Sequence, residues 1–466
     1  MPDTYANVED LAADFGYKPA MSKVEHGVRR TRLYREASRL WRSSFVRSVA
    51  LVVSGTGAAH AITMAFAPII TRLYGPEAFG ILGTFNALLA VAAPIAALAY
   101  PIAVVLPGRD IEALGLLRLS GYIALVVSGF TALGLWLGAE ILLECLGIEK
   151  LGAYIYLLPV AMLAAAAVQM AQQWLIRKKA FGVLARTTVL HSVLMNGAKA
   201  IAGLVIPIGV VLIALTTAGQ ALYALLMLIG IRLRSQAKHN VPRINCELSI
   251  KDLAKRYCDF PLYRAPQNLI NAISQSLPVL MLTAFFDPAA AGFYTLGVAV
   301  MGIPSALIGK AIGDVFYPRV TEVAHLGKDV AEMIIKATLG LLAIGMLPFG
   351  LVVLFGPWMF TLVFGSDWAH AGEYARWLSI FYLFNLINKP SVAAVPVLGI
   401  QKGLLVYEIF STGSKVAGFA VAVWLFGSDI LAVFIFSIIG AAAYGAMILW
   451  VIGSARKWKG YEETSR

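Results

Sequence analysis

The stretch Thr71-Arg72-Leu73-Tyr74-Gly75-Pro76-Glu77-Ala78-Phe79-Gly80 returns 212 residues later as Thr283-Ala284-Phe285-Phe286-Asp287-Pro288-Ala289-Ala290-Ala291-Gly292, with Thr, Pro and Gly in register. Each copy is a turn between two long apolar runs, and Pro107 and Pro318 close the following run at an offset of 211. Self-similarity at a fixed spacing marks an internal duplication. The surroundings say what was duplicated. The 466-residue chain is 59% hydrophobic and only 14% charged, with mean hydropathy +0.77, whereas about a quarter of a soluble domain's residues are charged. Apolar runs, many of 20 residues or more, recur from Phe45 to Trp450. About 20 helical residues at about 1.5 Å each cross a hydrocarbon core of about 30 Å.

In lipid every backbone polar group must be satisfied within the protein, so only helices and closed barrels span. Barrel strands alternate polar and apolar residues, which Ala161-Met162-Leu163-Ala164-Ala165-Ala166-Ala167-Val168 does not. The pattern therefore predicts an all-α polytopic membrane protein with twelve spans: 45–70, 80–106, 113–138, 151–174, 184–206, 208–231, 260–286, 290–316, 334–362, 373–399, 403–426 and 429–453. Pro207 and Gly209 divide a stretch that also reads as one broken helix. Cytoplasmic loops collect Lys and Arg. With both ends inside, 30 of the 38 cations fall on that side and only Arg72, Lys150 and Arg376 on the other.

An even number of helices per repeat gives both halves one orientation, related by an axis along the membrane normal. The expected parts are a basic tail (1–44), a first six-helix lobe (45–231), a basic linker (232–259), a second six-helix lobe (260–453) and a C-terminal tail (454–466), with tails and linker cytoplasmic. In the first tail Arg32, Arg35, Arg39 and Arg42 share a helical face opposite Leu33, Ala37, Leu40 and Trp41. That reads equally as an interfacial amphipathic helix or as a solvated arm. Residues 1–27 are expected to be disordered, and the long polar start argues against a signal peptide. The formal charge of +12 is ascribed to topology and to attraction by anionic lipid, with no nucleic-acid partner. Cys145, Cys246 and Cys258 are expected as free thiols, without the close Cys/His pairs a zinc site needs.

The Thr71–Gly80 turn, with the helix that ends in Val104-Val105-Leu106-Pro107, resembles the first outer turn of the Wzx-like polysaccharide flippases of the MOP superfamily. Pro261-Leu262-Tyr263-Arg264, Ser276-Leu277-Pro278, Phe285-Phe286-Asp287-Pro288, Gly292-Phe293-Tyr294 and Val315-Phe316-Tyr317-Pro318 resemble the same family's seventh and eighth helices. The resemblance covers everything after about residue 45. It implies a V-shaped pair of lobes in the bacterial inner membrane. They carry an undecaprenyl-diphosphate-linked oligosaccharide, such as an O-antigen or exopolysaccharide repeat unit, outward by alternating access. It implies no cofactor, and other polysaccharide-assembly proteins as neighbours. The basic N-terminal extension lies outside the family pattern.

Residue chemistry adds candidates of its own. Ionisable groups inside spans cost about 2.5–3.5 kcal/mol each, so they face water or one another. Arg264, Asn268, Asn271 and Gln275 step along one stripe of the seventh helix. Shifted back by the repeat, Asn268 and Gln275 fall on Thr56 and Thr63, with His60 on the same face. Asn385, Asn388 and Lys389 share a face of the tenth helix, and Glu408, Thr412 and Lys415 one of the eleventh. Lys310 and Asp314 lie a turn apart in the eighth, and Asn196 and Lys199 in the fifth. The surplus of cations suits an anionic solute such as a diphosphate, and the amides suit sugar hydroxyls. Plainer readings stand beside these: Arg264 snorkels, Lys310–Asp314 and Lys415–Glu408 are structural pairs, and His60 is an ordinary interior histidine. Asp314 and Glu408, the deep acids, are candidates for proton or sodium coupling.

Two other functions compete with the flippase reading. A MATE-type cation-coupled efflux transporter would call for intramembrane carboxylates, which the first half lacks. A membrane glycan polymerase or ligase would need polar outer loops, and these are short; the longest, around 140–150, is acidic and holds no His. No GxSxG, HExxH or Walker A pattern occurs.

Overall fold

The structure, a computed structural model, describes residues 44–236, 250–325 and 329–458. The N-terminal tail expectations lie outside the described residues, as do residues 237–249 of the expected linker and 459–466 of the expected C-terminal tail. Residues 1–51 form a unit of their own, and residues 52–466 form the second, which holds the membrane architecture. The chain is built of helices: α1 (Ser44–Ala96), α2 (Tyr100–Ala103), α3 (Asp110–Leu146), α4 (Leu158–Arg177), α5 (Phe181–Val205), α6 (Gly209–Gln236), α7 (Ile250–Arg256), α8 (Ala265–Phe285), α9 (Pro288–His325), α10 (Val330–Phe364), α11 (Ala369–Ile387), α12 (Lys389–Leu398), α13 (Gln401–Phe426) and α14 (Asp429–Lys457).

Eleven helical stretches among the described residues are long and apolar enough to cross a membrane. The first, Ser54–Ala96, holds 43 residues, about twice a bilayer at about 1.5 Å per residue. It is two spans. Gly75, at φ 69° and ψ 171°, breaks the helix in a region closed to most side chains. Contacts on either side show that the chain reverses there. Gly55 lies against Ala185 near the start of α5 and Gly203 near its end against Tyr74, while beyond the turn Arg177, just before α5, binds the carbonyls of Val104 and Pro107. Counting the hairpin as two gives the expected twelve.

The helices part from expectation in three places. The second span, expected to run to 106, ends at Ala96; Leu98 and Ala99 are left-handed (φ 47° and 59°) and α2 follows. Beyond α2 the chain end is tied by Arg177, whose Nη1 donates to Val104 O at 3.2 Å and Pro107 O at 2.6 Å while Nε binds Asp110 at 3.0 Å. The expected outer loop around 140–150 is largely helical, because α3 continues to Leu146 and a 3-10 segment follows over Glu149–Leu157. The ambiguous apolar stretch at Pro207 is two helices, parted at Ile206–Ile208.

Each lobe has its own core. Phe85, Ile155, Leu212 and Ile213 are fully buried in the first; Trp368, Tyr374, Leu378 and Phe419 in the second. The lobes meet through the duplicated turn. A β-carbon on Gly80 would overlap the carbonyl of Pro288, and one on Gly292 the carbonyl of Pro76. Pro76 and Pro288 are repeat mates, as are Gly80 and Gly292. A contact in which i meets j′ and i′ meets j is the signature of a two-fold relation. Gly83 lies against its own mate, Thr295, so the axis passes beside them.

Further lobe-to-lobe contacts lie at this same end, opposite the basic residues Arg177, Lys178, Lys179 and Arg256, while at the basic end Phe260 packs against the Tyr100 and Ala103 cluster. Thr84 and Thr283 hydroxyls share a hydrogen bond at 2.7 Å, Trp368 Nε1 donates to Thr71 O at 3.1 Å, and Phe79 meets the Trp368 ring edge-on at 5.1 Å. At the basic end the linker helix α7 docks on the first lobe. Leu253 is fully buried there, Tyr100 Oη donates to Ala254 O at 3.1 Å, and Arg256 pairs with Glu112 at 3.5 Å.

Candidate functional site

The second lobe encloses a cavity of about 520 Å³ between α8, α9, α11, α12, α13 and α14. Its walls follow from helix periodicity. Asn271, Ser274 and Gln275 come from α8; Asn385, Asn388 and Lys389 from the α11–α12 junction; Glu408, Thr412 and Lys415 from α13. Aromatic rings fill the spaces between, among them Tyr294, Phe381, Tyr382 and Tyr444.

Two cations stand in this wall. Lys415, 8% exposed, reaches Ser274 Oγ at 3.5 Å and sits 5.8 Å from the centre of the Phe436 ring, while Ser274 bonds Thr412 at 2.9 Å. Among the described residues neither Lys415 nor Lys389 has a carboxylate within 4 Å. Glu408 lines the same cavity and forms no ion pair with Lys415 within 4 Å. An ammonium surrounded by hydroxyls, amides and ring faces keeps its capacity to bind an anion.

The amides are partly committed. Asn385 Nδ2 donates to Tyr444 Oη at 2.8 Å and Gln275 Nε2 to Asn271 Oδ1 at 2.8 Å. Asn388, 2% exposed, donates to Met447 Sδ at 3.4 Å, and its Oδ1 has no protein partner.

A second cavity of about 400 Å³ lies between the lobes. It is formed by Asn268 and Asn271 of α8, Gln169 and Gln172 of α4, and the small residues Ala90, Ala93 and Pro94 of α1. Asn271 belongs to both cavities. Gln169 and Gln172 are absent from the candidates that the sequence offers; the available signal is a pair of amides one turn apart inside an apolar run.

The remaining candidates sit elsewhere. Arg264 is exposed in a π-helical turn (Phe260–Arg264) and donates to Gln267 at 2.9 Å, lining neither cavity. Lys199 and His60 are half-buried in the first lobe, away from both cavities. Beside them Asn196 donates to Thr63 at 3.1 Å and to Ser192 O at 2.8 Å, and Ser192 donates to Ala59 O at 3.0 Å. Thr63, the repeat mate of Gln275, is thus held in a hydrogen-bonded knot within the first lobe. The side chains of Lys310 and Asp314 lie outside the described residues. No group of His, Cys, Asp and Glu among the described residues could hold a metal ion.

Comparison with known proteins adds the family. A model of the polysaccharide biosynthesis protein family matches residues 69–373, well over half of the chain. No curated protein matches in sequence. Among solved structures the chain is similar to an inward-facing multidrug resistance MATE family transporter of the MOP superfamily, at 16% identity and TM-score 0.65, covering 85% of this chain and 95% of that one. An outward-facing conformation of such a transporter overlaps less well, at TM-score 0.58 and 16% identity over 88% and 96%. A MOP superfamily transporter from Pyrococcus furiosus, described as having a binding pocket of reverse polarity, matches at 16% identity and TM-score 0.50 over 88% and 94%. At such identities the likeness is one of fold. The sequence match makes this chain a member of the polysaccharide biosynthesis protein family, and its fold is the polytopic helical one of those membrane transporters.

Proposed function

We propose that the protein is a flippase that moves an undecaprenyl-diphosphate-linked oligosaccharide from the cytoplasmic to the outer leaflet of a bacterial inner membrane, with its basic end in the cytoplasm. The observation that carries this reading is the pair Lys389 and Lys415 in the second-lobe cavity, cationic and without a carboxylate within 4 Å among the described residues. A buried cation in a membrane protein is costly unless it has work to do, and an anionic headgroup or acidic sugar supplies its counter-charge. The polysaccharide family supports the substrate class. The close meeting of the duplicated turns at the end away from the basic loops fits an inward-facing stage of alternating access, in which the polar headgroup crosses inside while the lipid tail stays in the bilayer. Glu408, in the same cavity, is the coupling candidate for a proton or sodium ion.

The second reading is cation-coupled efflux of small molecules. The likeness to MATE transporters favours it, and Glu408 offers one carboxylate for a cationic solute. Deleting the gene separates the two. Accumulation of one undecaprenyl-linked saccharide on the cytoplasmic face supports the flippase; unchanged lipid-linked saccharides with heightened sensitivity to cationic drugs supports efflux instead.

A further inference from the structure

The cleft between the lobes is chemically unlike the cavity beside it. Gln169 and Gln172 stand one turn apart on α4, Asn268 and Asn271 one turn apart on α8, and no ionisable group joins them in the wall. A carboxamide offers two donors and a two-lone-pair acceptor; Gln169, Gln172 and Asn268 are half-buried and Asn271 is exposed to the cleft. Here Asn271 alone is engaged: its Oδ1 accepts from Gln275 and its NH₂ stays free to donate. Gln169, Gln172 and Asn268 have no protein hydrogen-bond partner among the described residues. Four amides from two lobes thus converge on one space with most of their bonding capacity unspent. The surface between them is small and apolar, made by Ala90, Ala93 and Pro94.

A neutral amide binds a diphosphate poorly compared with an ammonium. It is well matched to hydroxyl groups, which both give and accept. A sugar ring combines a hydroxyl edge with a C–H face, and the cleft combines an amide rim with a flat apolar wall. We propose that the cleft is a sugar subsite: it takes a neutral hexose-type ring of the lipid-linked saccharide while the anionic part of the same molecule lies on Lys389 and Lys415. This assignment rests on the flippase reading. Asn271, common to both spaces, stands where the two parts of the ligand join. Because the four amides come from both lobes, the subsite exists only while the lobes are arranged as they are here, and a bound sugar favours this arrangement.

The test uses the full chain in lipid nanodiscs and two synthetic probes, farnesyl diphosphate and the same diphosphate bearing a neutral disaccharide, titrated calorimetrically. The native protein should bind the glycosylated probe about tenfold more tightly, the worth of one or two net hydrogen bonds. Gln169→Leu with Gln172→Leu should erase that preference while the affinity for farnesyl diphosphate persists, which also certifies folding; Asn268→Leu should do the same through the other lobe. Lys389→Gln with Lys415→Gln should weaken both probes alike. Variants that keep the preference, or that lose the bare diphosphate as much as the glycosylated probe, overturn the subsite and leave the flippase reading standing. A native protein that binds neither probe removes both.

Discussion

Gly80 and Gly292, 212 residues apart, sit back to back at the contact between the lobes, each against the proline carbonyl of the other's turn. Two helix starts can approach this closely only where neither carries a side chain. The duplicated turn is therefore both the mark of the repeat and the seal between its copies. In alternating access such a seal must open, so its strength sets how much of the protein faces each way.

Gly80→Ala places a methyl group on the Pro288 carbonyl, where backbone must move to admit it. Spin labels at the exposed Glu77 and Asp287, read by double electron–electron resonance, should show a longer distance in this variant, and in Gly292→Ala as well. The reciprocal geometry requires both to act alike.

Arg72 holds the same end from outside. Its Nη2 donates to Leu362 O at 3.2 Å and Val363 O at 3.3 Å, carbonyls left over at the end of α10. Arg72→Gln should shift the label distance in the same direction as Gly80→Ala, by a smaller population change worth about 1 kcal/mol for an exposed charge-assisted contact. Addition of salt should mimic it in part.

Trp368, 1% exposed, packs on Phe79 and Phe293 and donates its indole N–H to Thr71 O at 3.1 Å. Replacement by Phe, which removes the donor and orphans little else, should cost about 1–2 kcal/mol; by Ala, about 3–5 kcal/mol. Unfolding in detergent measures the loss, and the Ala variant should also open the seal.

In the first lobe, Asn196→Leu removes the amide that ties Thr63 to Ser192. The change leaves their hydroxyls partly unsatisfied and should cost about 1–3 kcal/mol of stability. Transport by the protein that remains folded should persist, because this knot lines neither of the two cavities. An equal loss of transport per folded molecule would mean that the first lobe binds substrate too.

Much of this architecture is legible in the sequence because lipid leaves so few options. Runs of apolar residues count the helices, and the Gly75-Pro76 turn with its mate at Asp287-Pro288 declares two halves. The break at Ala97–Ala99 is only partly legible. Pro101 is a local reason for a break, since its ring would meet the Ala97 carbonyl in a continuous helix, but it does not say that the chain restarts as a separate helix after the left-handed Leu98 and Ala99. The site is half visible for a similar reason. Helical spacing says which residues share a face, as for Asn385, Asn388 and Lys389, but not what that face meets. So Arg264, on the same stripe as Gln275, lies at an exposed turn, and Lys199, on the same face as Asn196, lines neither of the two cavities. Gln169 and Gln172 escape notice because a neutral amide costs little in an apolar run and means nothing until the opposite lobe supplies Asn268 and Asn271.

If the second-lobe cavity carries an anionic lipid-linked saccharide on Lys389 and Lys415, neutralising both lysines must stall export. The decisive quantity is the amount of undecaprenyl-linked saccharide held on the cytoplasmic face of a deletion strain complemented by Lys389→Gln with Lys415→Gln, at native expression. Accumulation should come close to that of the deletion itself and be relieved in part by Lys389→Arg with Lys415→Arg. Saccharide levels restored to normal by the neutral double variant would mean that the two lysines do not carry the anion.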